Sequence, residues 1–147
     1  MNQNVTPHLA CRDAANAIPF YERAFGAKPE AVYKLPEGML MHAALTINGA
    51  TVFLGEGAPD WGCPSPTDIG GSGVTLNLTV DNCDTAFKRA VDAGCTAQMS
   101  PEDMFWGDRY AVVVDPFGHR WSFAQHVRDV SPEEIERAGA EFCSKHA

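Results

Sequence analysis

The 147-residue chain has no long hydrophobic run. None of its apolar stretches approaches the ~20 residues that a helix needs to cross a bilayer. Residues 1–9 also lack the positively charged start and apolar middle of a secretory signal peptide. We therefore expect a cytoplasmic protein with no membrane partner.

Basic residues are scarce and scattered. Eleven Lys and Arg stand against nineteen Asp and Glu, which gives a formal net charge of −8. A chain of this charge, without a basic run, repels a phosphate backbone. We therefore expect no nucleic-acid partner.

The cysteines form an odd, scattered set without a C-x-x-C pair. Such a set matches neither a disulfide framework nor a zinc site, so we expect reduced thiols that pack as small hydrophobic side chains. A glycine-rich phosphate loop, a serine nucleophile elbow and a dinucleotide fingerprint are absent as well. The five cysteines are Cys11, Cys63, Cys83, Cys95 and Cys143.

The first half of the chain has the periodicity of a strand, a helix and three strands. Residues 5–11 alternate as a half-buried strand does, with Val5 on the core face. A helix follows and ends at Gly26. Because Pro19 has no N–H, we expect this helix to begin late, near Asn16. The further strands are predicted at 31–35, 40–47 and 51–55, the last two joined by the hairpin turn Asn48-Gly49.

The second half repeats this pattern about 70 residues later. A segment rich in Gly, Pro, Ser and Asp separates the two copies. After the second copy, Ser131-Pro132-Glu133-Glu134 is a capping box that predicts a C-terminal helix, which we expect to cover a sheet or a dimer surface. The repeated elements are a strand at 74–80, a helix at 83–93 and strands at 96–99, 109–114 and 120–126.

These patterns predict one α+β domain over 1–147, because 45% hydrophobic residues are enough for a single core. The domain consists of two tandem βαβββ units and a helix. Its parts are unit one at 1–57, a linker at 58–73, unit two at 74–127 and the C-terminal helix at 131–145.

Four segments carry a resemblance: AIPFYERAFG at 17–26, VDN at 80–82, MFWGDRY at 104–110 and DPFGHRW at 115–121. They resemble the vicinal oxygen chelate superfamily, and in particular its PhnB-like, glyoxalase/bleomycin-resistance-like branch. The resemblance implies a half-open barrel, ligands and metals on its concave face, and a homodimer. The superfamily includes lyases such as glyoxalase I, extradiol dioxygenases and bleomycin-binding proteins, so the fold alone does not select the function.

The resemblance also implies four concave-face positions where metal-using members hold a divalent ion. Of the matching residues, only His8 and Glu56 could bind metal. An ion such as Zn, Ni, Mn or Fe would then lack the three or four protein ligands it normally has, so a metal-free site is favoured. Glu56 shares the parity of Val52 and Leu54, so it points away from the cavity unless a bulge intervenes. The four positions match Thr6 or His8, Gly55 or Glu56, Thr75, and Ser122.

Alternation along the strands predicts a polar, nearly uncharged concave face. On this face, His8 and His42 are catalytic candidates, each as a general base or a lone metal ligand. The favoured interpretation of each is a structural histidine that is hydrogen-bonded to a neighbouring hydroxyl or carbonyl group. Arg120 could bind a ligand carboxylate, but an ion pair with Asp108 or Asp115 is favoured. The predicted ligand-binding residues are Thr6, His8, His42, Thr75, Asn77, Trp106, Arg120 and Ser122.

The opposite face of each sheet is predicted to pack under the helices. Alternation places Met41 on this face of the first unit and Trp121 on that of the second. His119 shares the parity of Trp121 and is therefore expected outside the cavity. Cys11 is expected in the core, so a thiolate nucleophile is not predicted.

Three functional hypotheses follow from the sequence. The favoured one is a protein that binds a small organic ligand in the barrel cavity without a standard metal site. The second is a metal-dependent lyase or dioxygenase in which His8, Glu56 and His42 hold the ion. The third is drug sequestration, for which the acidic net charge favours cationic drugs.

Overall fold

The computed structural model describes residues 3–146. It contains two copies of a βαβββ unit followed by a C-terminal helix, so the predicted α+β fold is confirmed. A short 3₁₀ helix, Pro59–Trp61, lies between the units. The other elements are β1 (His8–Cys11), α1 (Ala14–Phe25), β2 (Lys28–Lys34), β3 (Leu40–Ile47), β4 (Ala50–Glu56), α2 (Pro66–Ile69), β5 (Thr75–Thr79), α3 (Cys83–Ala93), β6 (Thr96–Asp103), β7 (Asp108–Val114), β8 (Arg120–His126) and α4 (Pro132–His146).

Each unit forms one four-stranded sheet. The strand orders are β1-β4-β3-β2 and β5-β8-β7-β6. The first strand of each unit pairs in parallel with the last, whereas the other neighbours are antiparallel. The two sheets are not hydrogen-bonded to each other, so residues 3–146 do not form a closed barrel.

Helices α1 and α3 pack together, and apolar side chains of both units form one core. The ring centroids of Phe25 in α1 and Trp121 in β8 are 4.3 Å apart. Tyr21 of α1 lies 5.6 Å from the same indole. A helix of the first unit therefore packs on the sheet of the second. We call the opposite side of each sheet, which carries His42 in the first unit and Ser122 in the second, its open face; it is the predicted concave face.

Asp115, in the turn between β7 and β8, joins the two units. Its residue is only 4% exposed. Its Oδ2 accepts hydrogen bonds from the Tyr21 hydroxyl at 2.6 Å and from Trp121 Nε1 at 2.8 Å. Its Oδ1 accepts from the backbone N–H groups of Phe117 and His119 at 2.8 and 3.0 Å. One buried carboxylate is thus satisfied by donors from both units.

Helix α1 begins at Ala14, so the predicted start near Asn16 is wrong and Pro19 lies inside the helix. The reason lies in β4. The Glu56 carboxylate accepts hydrogen bonds from the backbone N–H groups of Asp13 and Ala14, both at 2.9 Å. A carboxylate at a helix N-terminus satisfies free N–H groups and interacts favourably with the helix dipole. This cap stabilises the early start despite the N–H that Pro19 lacks.

Two apolar side chains lie on a different face from the predicted one. Met41 is 57% exposed, whereas its neighbour Leu40 is 1% exposed. The pairing of β2 with β3 shifts between Tyr33 and Lys34, and such a bulge reverses the alternation beyond it. Val5 lies before β1 and is 83% exposed, so it does not belong to the core face.

The linker is packed rather than extended. Ser65 is fully buried, and its backbone N–H and hydroxyl donate to the Asp68 carboxylate at 3.0 and 2.9 Å. Asp68 also forms an ion pair with Arg12 of the first unit. The linker therefore contacts the first unit through specific polar groups.

Helix α4 starts where the capping box predicts, with the Ser131 hydroxyl accepting a hydrogen bond from the Glu134 N–H at 3.2 Å. None of its described residues is buried. Across residues 3–146, no helix combines the length and apolar character needed to span a membrane.

Candidate functional site

The open face of the first sheet carries aromatic rings around two histidines. The rings of His8 in β1 and His42 in β3 meet edge to face with centroids 5.6 Å apart. Phe53 of β4 lies 5.0 Å from His42 and 6.1 Å from His8, and Tyr33 of β2 stacks on His42 at 6.4 Å. Strand register brings them together, because His8 is paired with Phe53 and Tyr33 with His42.

The His8 imidazole favours its neutral form. Burial, and then the nearby His42, lowers the pKa of His8 from its ordinary value of 6.5. Gly55 lies beside it: a Cβ at this position would be 3.5 Å from His8 Nε2 and 3.3 Å from the Met41 carbonyl oxygen. A glycine here leaves room next to a neutral imidazole that can accept a proton or donate a lone pair to an ion.

Glu56 does not share this face with His8. Val52 and Leu54 are buried against the helices at 6% and 0% exposure, and alternation turns Glu56 the same way. Both carboxylate oxygens accept backbone N–H groups of α1. The structure therefore does not bring together the His8 and Glu56 pair. Within residues 3–146, no group of three or more His, Cys, Asp or Glu side chains is arranged to hold an ion.

The predicted polar residues of the second sheet bond to one another on its open face. Arg120 donates through Nε to Gln98 Oε1 at 2.6 Å and through Nη1 to the Thr75 hydroxyl. The Ser122 hydroxyl donates to Asn77 Oδ1 at 2.7 Å. The parallel ladder of β5 and β8 places each partner opposite the other. These four predicted residues thus form a row of hydrogen-bonded pairs.

The expected ion pair of Arg120 with Asp108 or Asp115 does not form. The Asp115 carboxylate is buried in the core among other donors. The Asp108 carboxylate accepts a hydrogen bond from Trp106 Nε1 at 3.1 Å. Arg120 instead lies opposite Thr75, which directs its guanidinium to the open face.

Three further residues lie outside these groups. Thr6 precedes β1 and is half-buried. His119 is 8% exposed and its Nε2 bonds to the Ala10 carbonyl oxygen at 2.9 Å, so it lies outside the cavity as predicted. Cys11 is fully buried; burial, and then the nearby Asp115, raises the pKa of its thiol to about 12. A Cys11 thiolate is therefore not available at neutral pH.

A cavity of about 860 Å³, which we call the aromatic cavity, lies between α4, the segment 104–106 and the open face of the second sheet. Its ring pairs are Trp106 with Tyr110, 5.5 Å apart, and Phe105 with Phe142, 5.4 Å apart. Tyr110 is paired with Ala124, which places it on the open face. The remaining lining residues are Met99, Glu102, Asp103, Met104, Arg128, Ala138, Glu141, Lys145 and His146.

The turn before β7 holds Trp106 in the cavity wall. Besides the bond from Trp106 to Asp108, the Gly107 carbonyl accepts hydrogen bonds from the N–H groups of Val127 and Arg128 at 2.9 and 3.1 Å. Gly107 has φ +103°, and a Cβ there would lie 2.2 Å from the Arg128 carbonyl oxygen. The indole is therefore anchored by a turn that only glycine fits.

Sequence reasoning missed Phe53 and Phe142 as site residues. Phe53 could have been found, because alternation with the buried Val52 and Leu54 places it on the open face. The sequence predicts α4 as a covering helix without assigning Phe142 to a site, and in the structure the Phe142 ring lies 5.4 Å from that of Phe105 at the cavity. That contact depends on the path of the chain between β8 and α4, and no sequence pattern in this segment predicts its path.

The chain is similar to several known proteins. The family model described as Glyoxalase/Bleomycin resistance protein/Dioxygenase superfamily matches residues 4–123. The protein Mb0911c of Mycobacterium bovis is 49% identical over 138 residues, which cover 91% of this chain and 90% of that protein.

Solved structures have the same fold. TioX from Micromonospora sp. ML1 superposes with a TM-score of 0.67 at 25% identity, over 86% of this chain and 100% of that one. The PhnB protein from Bacillus cereus superposes with a TM-score of 0.64 at 16% identity, over 84% of this chain and 99% of that one. With a family match over most of its length, the chain belongs to the Glyoxalase/Bleomycin resistance protein/Dioxygenase superfamily.

Proposed function

We propose that this protein binds a small organic ligand whose planar aromatic group stacks in the aromatic cavity. The observation that carries the proposal is the pair of Trp106 and Tyr110 rings in the wall of an 860 Å³ cavity. Ligand pockets typically have volumes of roughly 300–1,000 Å³ and apolar, aromatic walls. Because Asp108 and the turn at Gly107 hold the indole in place, little conformational freedom is lost on binding.

The net charge of −8 favours a ligand that also carries positive charge. Glu102 lines the rim of the cavity, where the other two carboxylates are already paired, Asp103 with Arg109 and Glu141 with Lys145. A cationic aromatic group gains from both the Glu102 carboxylate and the ring faces. One form of this function is drug sequestration, as in the bleomycin binders of the superfamily, with a cationic aromatic drug as the ligand.

Calorimetry with proflavine, a planar cation, and anthracene-2-carboxylate, a planar anion, tests the proposal. We expect saturable binding of proflavine and weaker binding of the anion. The Trp106→Ala variant should lose about tenfold or more in affinity, since base-sized aromatic stacking contributes about 1–3 kcal/mol. Trp61→Ala is the matched control, because Trp61 is 90% exposed and lies outside the cavity. Equal binding by the two variants would disprove the proposal.

A second candidate function, a metal-dependent lyase or dioxygenase, is supported by the His8 and His42 rings at 5.6 Å. His8, neutral and beside the space at Gly55, would be one ligand, with His42 as a second or as a general base. The test is metal content per chain by elemental mass spectrometry after soaking in nickel, zinc, manganese and ferrous ions. Near-stoichiometric metal that is lost in His8→Ala supports this function, and metal-free protein rejects it.

We further propose a homodimer. Around the edge strand β2, several apolar side chains are solvent-exposed, including Val32 at 40%, Tyr33 at 54%, Met39 at 48% and Met41 at 57%. A second copy would bury them and cover a sheet edge. Light scattering at micromolar concentration should give twice the chain mass, and a monomer would contradict the proposal.

We also propose a cytoplasmic location. All five cysteines are free, as in a reducing compartment. Cell fractionation should recover it with cytoplasmic markers, and recovery with membranes or medium would contradict this.

A further inference from the structure

We propose a second ligand-binding site between α1 and α3, on the helix side of the second sheet, that takes a small organic anion with an apolar chain. The site is a cavity of about 340 Å³, here called the interhelical slot. Its apolar floor consists of Phe25, Leu78 and Phe123, and its polar rim includes Asn48, Thr85 and Arg89. The sheet itself separates the slot from the aromatic cavity, because Phe123 and Tyr110 lie on opposite faces.

The apolar floor of the slot is incompletely covered by the chain itself. The side chains of Leu76 and Leu78 on β5, and of Val80 directly after it, face the helices but stay partly exposed. Their counterparts on β1, Leu9 and Cys11, are buried at 5% and 0% exposure. The second unit therefore leaves apolar surface open where the first unit covers it.

The repeat explains this opening. At the other end of the helix pair, the four-residue turn at 115–118 inserts Phe117, whose ring lies 5.9 Å from Phe20 and 6.0 Å from Tyr21. The corresponding turn of the first unit is the two-residue Asn48-Gly49. It reaches the second unit through Asn48 Nδ2, which donates to the Thr79 carbonyl oxygen at 2.6 Å. No ring from this turn fills the slot, so a ligand can occupy the equivalent space.

Charge at the slot favours an anion. A shallow depression lined by Arg23, Lys88 and Arg89, here called the basic shelf, shares Thr85 and Arg89 with the slot. Three of the eleven basic residues of a chain with net charge −8 therefore converge at one place. Two carboxylates also face the site: Asp81 lines the slot, and Asp92 on the shelf pairs with Lys88 at 2.6 Å.

Arg89 is held in place before a ligand arrives. Its Nε donates to the Arg23 carbonyl oxygen at 2.8 Å and its Nη2 to the Glu22 carbonyl oxygen at 3.3 Å, at the C-terminus of α1. Gly26 allows this approach, since a Cβ there would lie 3.3 Å from Arg89 Nη1. Within residues 3–146, Nη1 makes no hydrogen bond. A fixed guanidinium with a free N–H pair at the edge of an apolar floor binds a carboxylate or a similar anion.

Octanoate is the probe that tests the site. We expect saturable binding in calorimetry, with amide chemical-shift changes confined to the elements that line the slot: α1, α3, β5, β8 and the turn at Asn48-Gly49. Octan-1-ol and octylammonium, which share the chain but not the negative charge, should bind about fivefold more weakly or worse. Equal binding of octanoate and octan-1-ol would overturn the role of the basic shelf and with it the proposal.

Variants locate the probe in the slot. Thr85 is exposed, so Thr85→Phe fills the slot without disturbing the core and should abolish octanoate binding. Thr96→Phe, at an exposed threonine outside the slot, should bind normally. The double variant Arg23→Gln, Lys88→Gln should weaken binding about threefold to tenfold, whereas Lys28→Gln, Lys34→Gln should not.

Three further results would overturn the proposal. One is the absence of octanoate binding at millimolar concentration to the folded wild-type chain. Another is unchanged binding by Thr85→Phe whose circular dichroism matches wild type. The third is loss of binding in Trp106→Ala with retention in Thr85→Phe, which would assign the probe to the aromatic cavity.

Discussion

Glu56 connects the end of β4 to the start of α1 through two hydrogen bonds to backbone N–H groups. Such a cap differs from the common one, in which a Ser, Thr, Asp or Asn next to the helix supplies the acceptor. Here the neighbouring residue Asp13 adopts a left-handed conformation with φ 63° and makes no side-chain cap. The acceptor comes from 43 residues along the chain, which is why sequence periodicity misplaced the helix start.

Replacement of Glu56 by Ala should therefore lower stability without affecting any metal uptake. We expect a loss of about 1–2 kcal/mol in the free energy of unfolding, the usual effect of losing an N-terminal cap. Urea denaturation measures it, and Glu37→Ala, at an exposed turn residue, is the control. A loss of bound metal in Glu56→Ala with unchanged stability would contradict the capping role.

His8 should titrate below the ordinary range of a histidine. Burial is the larger cause of its lowered pKa and the nearby His42 the smaller. The unfolded chain, with a His8 pKa near 6.5, then binds a proton first as the pH falls. Stability from neutral His8 is present above the unfolded pKa and is lost as the pH falls from about 6.5 through the lowered folded pKa.

NMR titration of the His8 ring protons measures this shift directly. His42→Gln removes the electrostatic contribution and should raise the His8 pKa part of the way towards its ordinary value. His126→Gln, whose ring bonds to Asp129 on the second unit, should leave the His8 titration unchanged. A His8 midpoint at or above 6.5 would contradict a neutral imidazole whose pKa is lowered by partial burial and by His42.

At the scale of elements, Gly107 controls the turn that presents Trp106. An Ala in its place would adopt an unfavourable positive φ and press its Cβ on the Arg128 carbonyl oxygen. We expect Gly107→Ala to cost about 3 kcal/mol in unfolding free energy and to weaken proflavine binding. Gly38→Ala is a matched control, because Gly38 also has a positive φ, +90°, but no atom within 4 Å of the added Cβ. Equal losses in the two variants would show that strain alone, not the contact with Arg128, is responsible.

Elements with a strong local signal were predicted well. The bounds of β3, α3 and β8 match the predicted 40–47, 83–93 and 120–126, because the alternation of the strands is local and Gly94 directly follows the helix. The prediction fails where a contact with a distant part of the chain determines the bounds of an element or the face of a side chain. The bulge in β3 that exposes Met41 and buries Leu40 depends on pairing with β2, which alternation in β3 alone does not contain.

The site residues divide in the same way. Alternation correctly brought His8 and His42 to one face and paired Thr75, Asn77 and Ser122 on another, since strand parity is a local property. The predicted ion pair of Arg120 with Asp108 or Asp115 was wrong. A long side chain can reach several acceptors, and Arg120 donates to Gln98 and Thr75. The aromatic cavity needs α4, whose position follows from tertiary packing and not from its own capping box.

At the scale of the whole molecule, Asp115 should make the two units unfold together. Asp115→Asn replaces one carboxylate oxygen by an N–H₂ group that faces donors. Either the Tyr21 and Trp121 side chains or the backbone N–H groups of Phe117 and His119 then lose their acceptor. We expect a loss of about 3 kcal/mol. Urea unfolding followed by tryptophan fluorescence and by circular dichroism measures it, with Asp60→Asn at an exposed site as control. If the two transitions separate in wild type, the units do not form one cooperative core.

The packed linker limits how two copies of this chain could exchange their units. Ser65 is fully buried, and a Cβ on Gly118 of the second unit would lie 2.7 Å from the Cβ of Pro66. Arg12 of the first unit holds the same segment through Asp68. An exchange of units between two folded chains would first require the linker to lose its contacts with both units. Intertwined and self-contained forms, once made, would interconvert only as slowly as the chain unfolds, so the form is set when the chain folds.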